Sequence, residues 1–432
     1  MQLAIYIGGA VVFFAMVMAA IALHEVGHLV PGKIFGVKTT QYFVGFGRTL
    51  WSRRMGETEY GLKLVPLGGY VRFVGMFPPA KSRPGQVRTY STGSFRALAD
   101  NARAAEWQDI GPEDEGRLFY QKTSGQKLII MAGGPTMNLL LAFVIFLGVT
   151  GSYGVYRSQL TITRVQECIV AANATDRSCV GKQPTPAAQS GIQPQDKIVA
   201  FNGVAVSTWA EVSTLIRGNL DQPALITVER AGQRMDLTPV NTVITGVADR
   251  YDPSKRIAAG FFGVEPEVIR ERGGPIVVLQ DMWRMTKETV VALAAFPAKV
   301  YYTAYNLATG KPRDIYGPMS IVGASLAAGE IAATDKIDAQ AKLASLFTVL
   351  GSVNLFVALF NFIPLLPLDG GHIAGAIYEA VKRGLARLRR RPDPGHVDTA
   401  KMLPVAYVVG GMIMISGIVL ILADIIDPIR LF

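Results

Sequence analysis

His24-Glu25-Val26-Gly27-His28 closes an uncharged apolar run, Leu3–Leu23. On a helix the two imidazoles stand about 400° of rotation and roughly 6 Å of rise apart, so they leave one face. That is the spacing of two zinc ligands, and Glu25 between them is set to polarise a water on the metal. Polar groups at membrane depth are costly, so a His-Glu-His cluster there points to function before packing. A chance pentad on an apolar anchor helix is the bland alternative. It is weakened because the 432 residues hold four histidines in all. A hydrolytic zinc site needs three protein ligands and one open position. Of the two other histidines, His396 falls in a basic stretch and is expected to be solvated, which leaves His372. A carboxylate is the stronger third ligand. Asn361-Phe362-Ile363-Pro364-Leu365-Leu366-Pro367-Leu368-Asp369-Gly370-Gly371-His372 ends another apolar run, and Asp369 follows 26 uncharged residues. A lone carboxylate in that setting wants a partner, and a metal cation is one. The prolines break the helix and free backbone groups for other partners. A span-ending Asp-Gly cap without chemistry is the alternative.

The elements that must position these groups are membrane spans. Four stretches are long enough to cross a bilayer: Leu3–Leu23, Leu128–Val149, Leu343–Leu368 and Leu403–Ile426. The net charge of +10 could suggest nucleic acid, but its distribution argues otherwise. Residues 30–127 carry 15 Lys+Arg against 8 Asp+Glu and residues 381–402 carry 7 against 2, whereas 151–342 is nearly balanced at 20 against 18. Basic excess therefore lies in the two loops that share one side of a four-span topology, as the positive-inside rule requires. The expected orientation has both termini outside, with the basic loops in the cytoplasm. Spans one and three then both run inward and bring His24, His28 and Asp369 to the same depth. The Arg-rich run at 387–391 is a topological anchor able to touch anionic lipid. No aromatic or base-reading pattern accompanies it, so no nucleic-acid partner is expected. The first apolar run lacks a basic leader and reads as a retained span.

The expected domains are a first transmembrane helix with the H-E-x-x-H motif at 1–30, a cytoplasmic membrane-associated β region and loop at 31–127, and a second transmembrane helix at 128–150. A compact α/β module at 158–246 and amphipathic helices at 247–342 follow on the outside. A third transmembrane helix at 343–372, a basic loop at 373–402 and a fourth helix at 403–426 complete the plan. Within the β region, Tyr42–Gly47 and Gly68–Phe73 read as short twisted strands with turn glycines that fold back under the first helix. Residues 78–125 read as a polar loop with a helix near 94–107. In the module, a strand and turn over 197–203, a helix over 209–216 and a hairpin about Ala231-Gly232 are expected. Cys168 and Cys179 both fall in the outer segment, where an oxidising compartment permits a disulfide and free buried thiols are equally open.

His24-Glu25-x-x-His28 in a first span, with Asn361-x-x-Pro364 and Leu368-Asp369-Gly370 in a later one, resembles the site-2 protease family of intramembrane zinc metalloproteases. It is closest to the regulator-of-sigma-E type and, with one insert, to its actinobacterial branch. Gly134-Pro135-Thr136-Met137-Asn138 resembles that family's Gly-Pro-x-x-Asn element, and 158–246 resembles a PDZ domain. The second proline falls at Pro367, displaced from the proteobacterial pattern. The resemblance implies a polytopic α-helical protein of the bacterial inner membrane, with four transmembrane helices, a membrane-associated β region and one extracytoplasmic PDZ-like α/β domain. It implies one Zn2+ per chain on His24, His28 and Asp369, with Glu25 as base and Asn361 and Pro364 contacting substrate. Gly45 and Gly47 are expected to keep a strand edge open to an unwound substrate segment. The implied partners are single-pass membrane proteins such as anti-sigma factors, or remnant signal peptides, already trimmed by an upstream extracytoplasmic protease, and membrane lipid. No glycine-rich carboxylate loop is evident in the module, so a size filter is expected more than a peptide receptor. A non-catalytic zinc scaffold or chaperone is the competing class, and a base between the ligands argues against it. A metal transporter ranks last, because no second carboxylate pair lines a path.

Overall fold

The computed structural model describes residues 2–78, 110–170, 178–248, 256–314 and 316–431. The helix expected near 94–107 lies outside the described residues. In chain order, α1 (Gln2–Ile34) leads into β1 (Thr39–Met55) and β2 (Thr58–Phe73), and α2 (Ser124–Ser152) follows. Then come β3 (Val155–Val165), α3 (Pro186–Ser190), β4 (Lys197–Phe201), β5 (Val204–Ala205), α4 (Trp209–Gly218), β6 (Pro223–Ala224), β7 (Ile226–Arg230), β8 (Gln233–Asp236), β9 (Val240–Asn241), β10 (Val243–Ala248), β11 (Arg256–Phe261) and β12 (Val264–Glu271). The remaining helices are α5 (Pro275–Thr309), α6 (Ile321–Ala333), α7 (Ala339–Asn361), α8 (Asp369–Leu388) and α9 (Leu403–Ile426). The chain divides into two compact units, 1–149 with 274–432, and 150–273.

In the first unit, α1, α2, α7 and the segment Thr399–Ile426 ending in α9 are long and apolar enough to cross a membrane. The unit is joined by packing of small faces. Phe13 and Val17 of α1 bury against Ala324 and Ala328 of α6 and Leu350 of α7. Ala142 and Phe146 of α2 bury against Val278 and Met282 of α5 and Leu355 of α7. The third apolar run, expected at 343–372, is interrupted where its prolines were expected to break it: α7 ends at Asn361 and a separate helix starts at Asp369. Proline disfavours helical conformation in the residue before it and cannot donate, so Pro364 and Pro367 hold 362–368 as a turn. The apolar stretch 319–331, in the segment expected to lie on the outer membrane surface or to cap the core, forms α6. α6 is largely buried, and its Gly329 lies so close to the Tyr6 carbonyl of α1 that a Cβ would stand 2.6 Å from it.

β1 and β2 are longer than the short strands expected, at 17 and 16 residues. Glycines with positive φ, Gly45 (+92°), Gly47 (+81°) and Gly68 (+134°), let each strand bend without ending. The register then pairs residues 41–44 of β1 on both sides: Tyr42 faces Val71 and Tyr60, and Val44 faces Gly69 and Leu62. The edge expected at 42–47 is therefore interior over 41–44. At Gly45 a Cβ would stand 2.9 Å from the Lys63 and Val65 carbonyls, so that glycine serves close strand approach.

The second unit is a sheet of order β12-β3-β4-β7-β8, with β5 on β4 and α4 packing Val212 and Ile216 into an apolar core. The Ala231-Gly232 hairpin joins β7 to β8, with both turn residues at positive φ (+51° and +80°). Thr208 caps α4 in a reciprocal box with Glu211. The unit exceeds the 158–246 expected from sequence, because β12 returns to pair with β3 from Val264↔Val165 to Glu271↔Val155. Cys168 and Cys179 form a disulfide, with Cα atoms 5.5 Å apart.

Candidate metal centre

α1 stays helical through the H-E-x-x-H pentad, so His24 and His28 leave one face and both are buried. The turn after α7 delivers Asp369 to the start of α8, opposite them. Gly370 permits that turn, because a Cβ there would overlap the Ile363 carbonyl. The three donor atoms form a nearly equilateral triangle: His24 Nε2 to His28 Nε2 is 3.3 Å, and each is 3.3 Å from Asp369 Oδ2. Three corners of a tetrahedron around a metal bonded at about 2.0 Å stand about 3.3 Å apart, so the triangle is the size zinc requires. His28 Nδ1 donates to the Ile130 carbonyl at 2.8 Å, which leaves its Nε2 with the lone pair a metal needs. Among the described residues this is the cluster of three His, Cys, Asp or Glu side chains able to hold a metal ion. Histidine nitrogens and a carboxylate oxygen suit zinc.

Three groups that pattern reasoning did not assign shape the site. The Gly133-Gly134 doublet of α2 lets that helix cross α1 at Gly27. A Cβ on Gly133 would overlap the Gly27 carbonyl, and one on Gly134 would overlap both imidazoles. The Ile130 carbonyl is the partner that orients His28. An adjacent glycine pair inside an otherwise apolar helix was the available signal, since it weakens the helix unless something approaches closely.

Glu25 is half-buried and lies beside β2: the Val71 amide donates to it, and a Cβ on Gly69 would stand 2.9 Å from its Cγ. Tyr42 ties β1 to α1 by donating to the Ala22 carbonyl at 2.8 Å. Burial, followed by the nearby Glu25 and Tyr60, pushes its phenol up to about 12, so it remains a donor. Asn361 is the last residue of α7 and Pro364 is exposed in the turn that follows. Among the described residues no hydrogen bond joins either to the triad. His372 lies one turn beyond Asp369 and lines a small cavity with Lys127 and Glu379. His396 is not solvated as expected: it is half-buried, 3.5 Å from Glu379 and edge-on to the Tyr120 ring.

The sequence is similar to those of known metalloproteases. The peptidase family M50 model matches residues 12–391. The chain is 30% identical to "Zinc metalloprotease Rip1" of Mycobacterium tuberculosis over 453 aligned positions, covering 99% of each chain. It is 30% identical to the protein of the same name from Mycolicibacterium smegmatis, covering 98% of each. It is 25% identical to "Zinc metalloprotease RasP" of Oceanobacillus iheyensis, covering 86% of this chain and 90% of the relative.

Proposed function

The chain belongs to peptidase family M50 and is a metalloprotease of the site-2 type, a multi-pass membrane protein, and from that premise we propose that it cuts peptide bonds within the membrane-spanning segments of single-pass proteins. The observation that carries this reading is the 3.3 Å donor triangle formed where the polar end of an apolar helix meets the start of α8. His24, His28 and Asp369 would hold one zinc ion, which supplies Lewis acidity that activates water near neutral pH and polarises a carbonyl. Glu25 takes the proton of the attacking water and returns it to the departing amine. α2 packs over the imidazoles through Gly134 and limits solvent on that side.

A helical substrate satisfies its own backbone and presents no carbonyl, so it must open before attack. The β arm supports reception of the opened segment. Residues 68–71 form the strand beside Glu25, so they replace 42–47 as the pairing edge in this reading. Asn361 and Pro364, in the break between α7 and α8, are candidates for substrate contact. Substrates of this kind are anti-sigma factors or remnant signal peptides already shortened outside the cell by another protease. Both termini then lie outside and the metal centre near the cytoplasmic face, an orientation supported by the basic loops. The 150–273 unit excludes untrimmed chains in this reading.

Glu25→Gln tests the proposal. Zinc content stays at wild type while cleavage of a trimmed single-pass substrate falls by on the order of 10²–10⁴-fold. Undiminished cleavage by the purified variant would remove Glu25 from the role of base, and a purified zinc-loaded wild type that leaves the substrate intact would favour the scaffold class. Comparing membrane proteomes of the two strains identifies the substrate as a shortened stump that accumulates with the variant. Leu-rich replacement of its span should protect it, and helix-breaking residues in a resistant span should expose it.

A further inference from the structure

Glu379 lies on α8, ten residues beyond Asp369 and so roughly 15 Å along the helix. Its carboxylate is 2% exposed, and polar groups surround it. Oε1 accepts from Ser124 Oγ (3.3 Å) and Lys127 Nζ (3.1 Å), and Oε2 accepts from Lys127 Nζ (2.9 Å) and the Val397 amide (3.0 Å). Arg383 Nη1 at 3.3 Å and His396 Nδ1 at 3.5 Å complete the shell. Lys127 itself is buried, and the carboxylate it meets belongs to the helix that begins with Asp369.

Lys127 sits on α2 one turn before Ile130, whose carbonyl orients His28, and two turns before Gly134, which abuts both imidazoles. One bond system therefore fixes α2, which presses on the histidines, against α8, which carries the aspartate. A small cavity lined by Met76, Tyr120, His372, Ala376 and the ion pair lies beside the contact, so the pair is a polar tie at a point that side chains do not fill completely. A buried ion pair is weak evidence for stability, since apolar substitutes of similar volume are often as good, and fixing register is its best-attested use. We propose that Lys127 and Glu379 are a positioning pair for the metal centre: they pin α8 against α2 and so hold Asp369 at bonding separation from His24 and His28. The inference rests on the three-residue zinc reading above.

The test uses the full chain in detergent, with zinc affinity measured by chelator competition and thermal unfolding measured in parallel. Asp369→Ala is the reference. If it retains full zinc affinity, the ligand reading falls and this inference falls with it. Lys127→Arg keeps the charge and should stay near wild type. The pair Lys127→Met/Glu379→Gln removes both charges together, so no unpaired buried charge from the pair threatens the fold. It should bind zinc on the order of 10-fold more weakly, as loss of an outer partner does, and excess zinc should restore its cleavage. Wild-type zinc affinity in that folded pair, whatever its melting temperature, overturns the proposal and leaves the cluster a structural tie.

Discussion

A single methyl group at position 134 would occupy the space that both imidazole Nε2 atoms border. The placement of the two proposed ligands therefore depends on a residue that would itself coordinate nothing. Gly134→Ala should lower zinc affinity by on the order of 10–100-fold, the range for groups that orient ligands. Gly125→Ala is its control, on the same helix with nothing within 4 Å of the added carbon. Metal analysis of the two purified variants distinguishes a local clash from a general effect of alanine in α2. Equal zinc in both would show that the helix yields at Gly134 without cost. On the proposed ligand set, Asp369→Ala should lose both zinc and cleavage.

Between elements, the contact of β2 with α1 governs the base more than the metal. A Cβ on Gly69 would come within 2.9 Å of Glu25 Cγ, closer than carbon atoms approach, so one of them must move. Misplacing a reacting group by an ångström costs about 10²-fold, so Gly69→Ala should cut turnover by that order while zinc content stays unchanged. Turnover at wild-type level would show the arm to be free of the base. In the second unit, β4 is tied to β7 through buried Asp196, which takes Arg230 Nε and Nη2 at 2.7 Å each and the Gln193 amide at 2.7 Å. Burial pushes the Asp196 carboxyl up, but Arg230 and that amide outweigh it and hold the group below the usual carboxylate range. A carboxyl depressed on folding stabilises above its unfolded value, about 3.9, and that contribution is lost as pH falls through the folded value. Asp196→Asn should therefore destabilise the unit by about 1–3 kcal/mol at neutral pH. The difference between wild type and variant should shrink below about pH 4. Thermal unfolding of the full chain across pH reads this directly, and a difference that stays constant with pH would contradict the charge argument.

At the scale of the whole molecule, the two compact units suggest separate responsibilities. The 150–273 unit closes on itself: the Gly273 amide donates to the Thr150 carbonyl at 3.2 Å, so its two ends are adjacent. A short Gly/Ser linker from Val149 to Gly274 should replace it. The excised chain should bind zinc with wild-type affinity, because His24, His28, Asp369 and their supports all lie in the other unit. On the proposed filter role, it should also cut substrates that have not been trimmed. Loss of zinc on excision would refute the separation of units. Loss of cleavage of a pre-trimmed substrate, with zinc retained, would favour docking over filtering.

The sequence by itself determined the local chemistry. H-E-x-x-H has meaning wherever an apolar run makes a helix, because a 3.6-residue period places i and i+4 together without help from the rest of the chain. The Ala231-Gly232 hairpin was legible for the same reason: turn chemistry is decided within a few residues. Asp369 stood out as a candidate because an isolated carboxylate after a long uncharged run has few alternatives to a cation. Tertiary structure alone decided the rest. Whether three donors separated by hundreds of residues form a 3.3 Å triangle depends on α2 crossing α1 at Gly27 and on where the turn after α7 delivers Asp369. The two-sided pairing of residues 41–44 could not be read from alternation, because positive-φ glycines fold the strands back on themselves. The return of β12 to β3, across about a hundred residues, and the meeting of Lys127 with Glu379 are long-range pairings. No local period encodes them, since each residue's share of the energy appears only when the partner element is already in place.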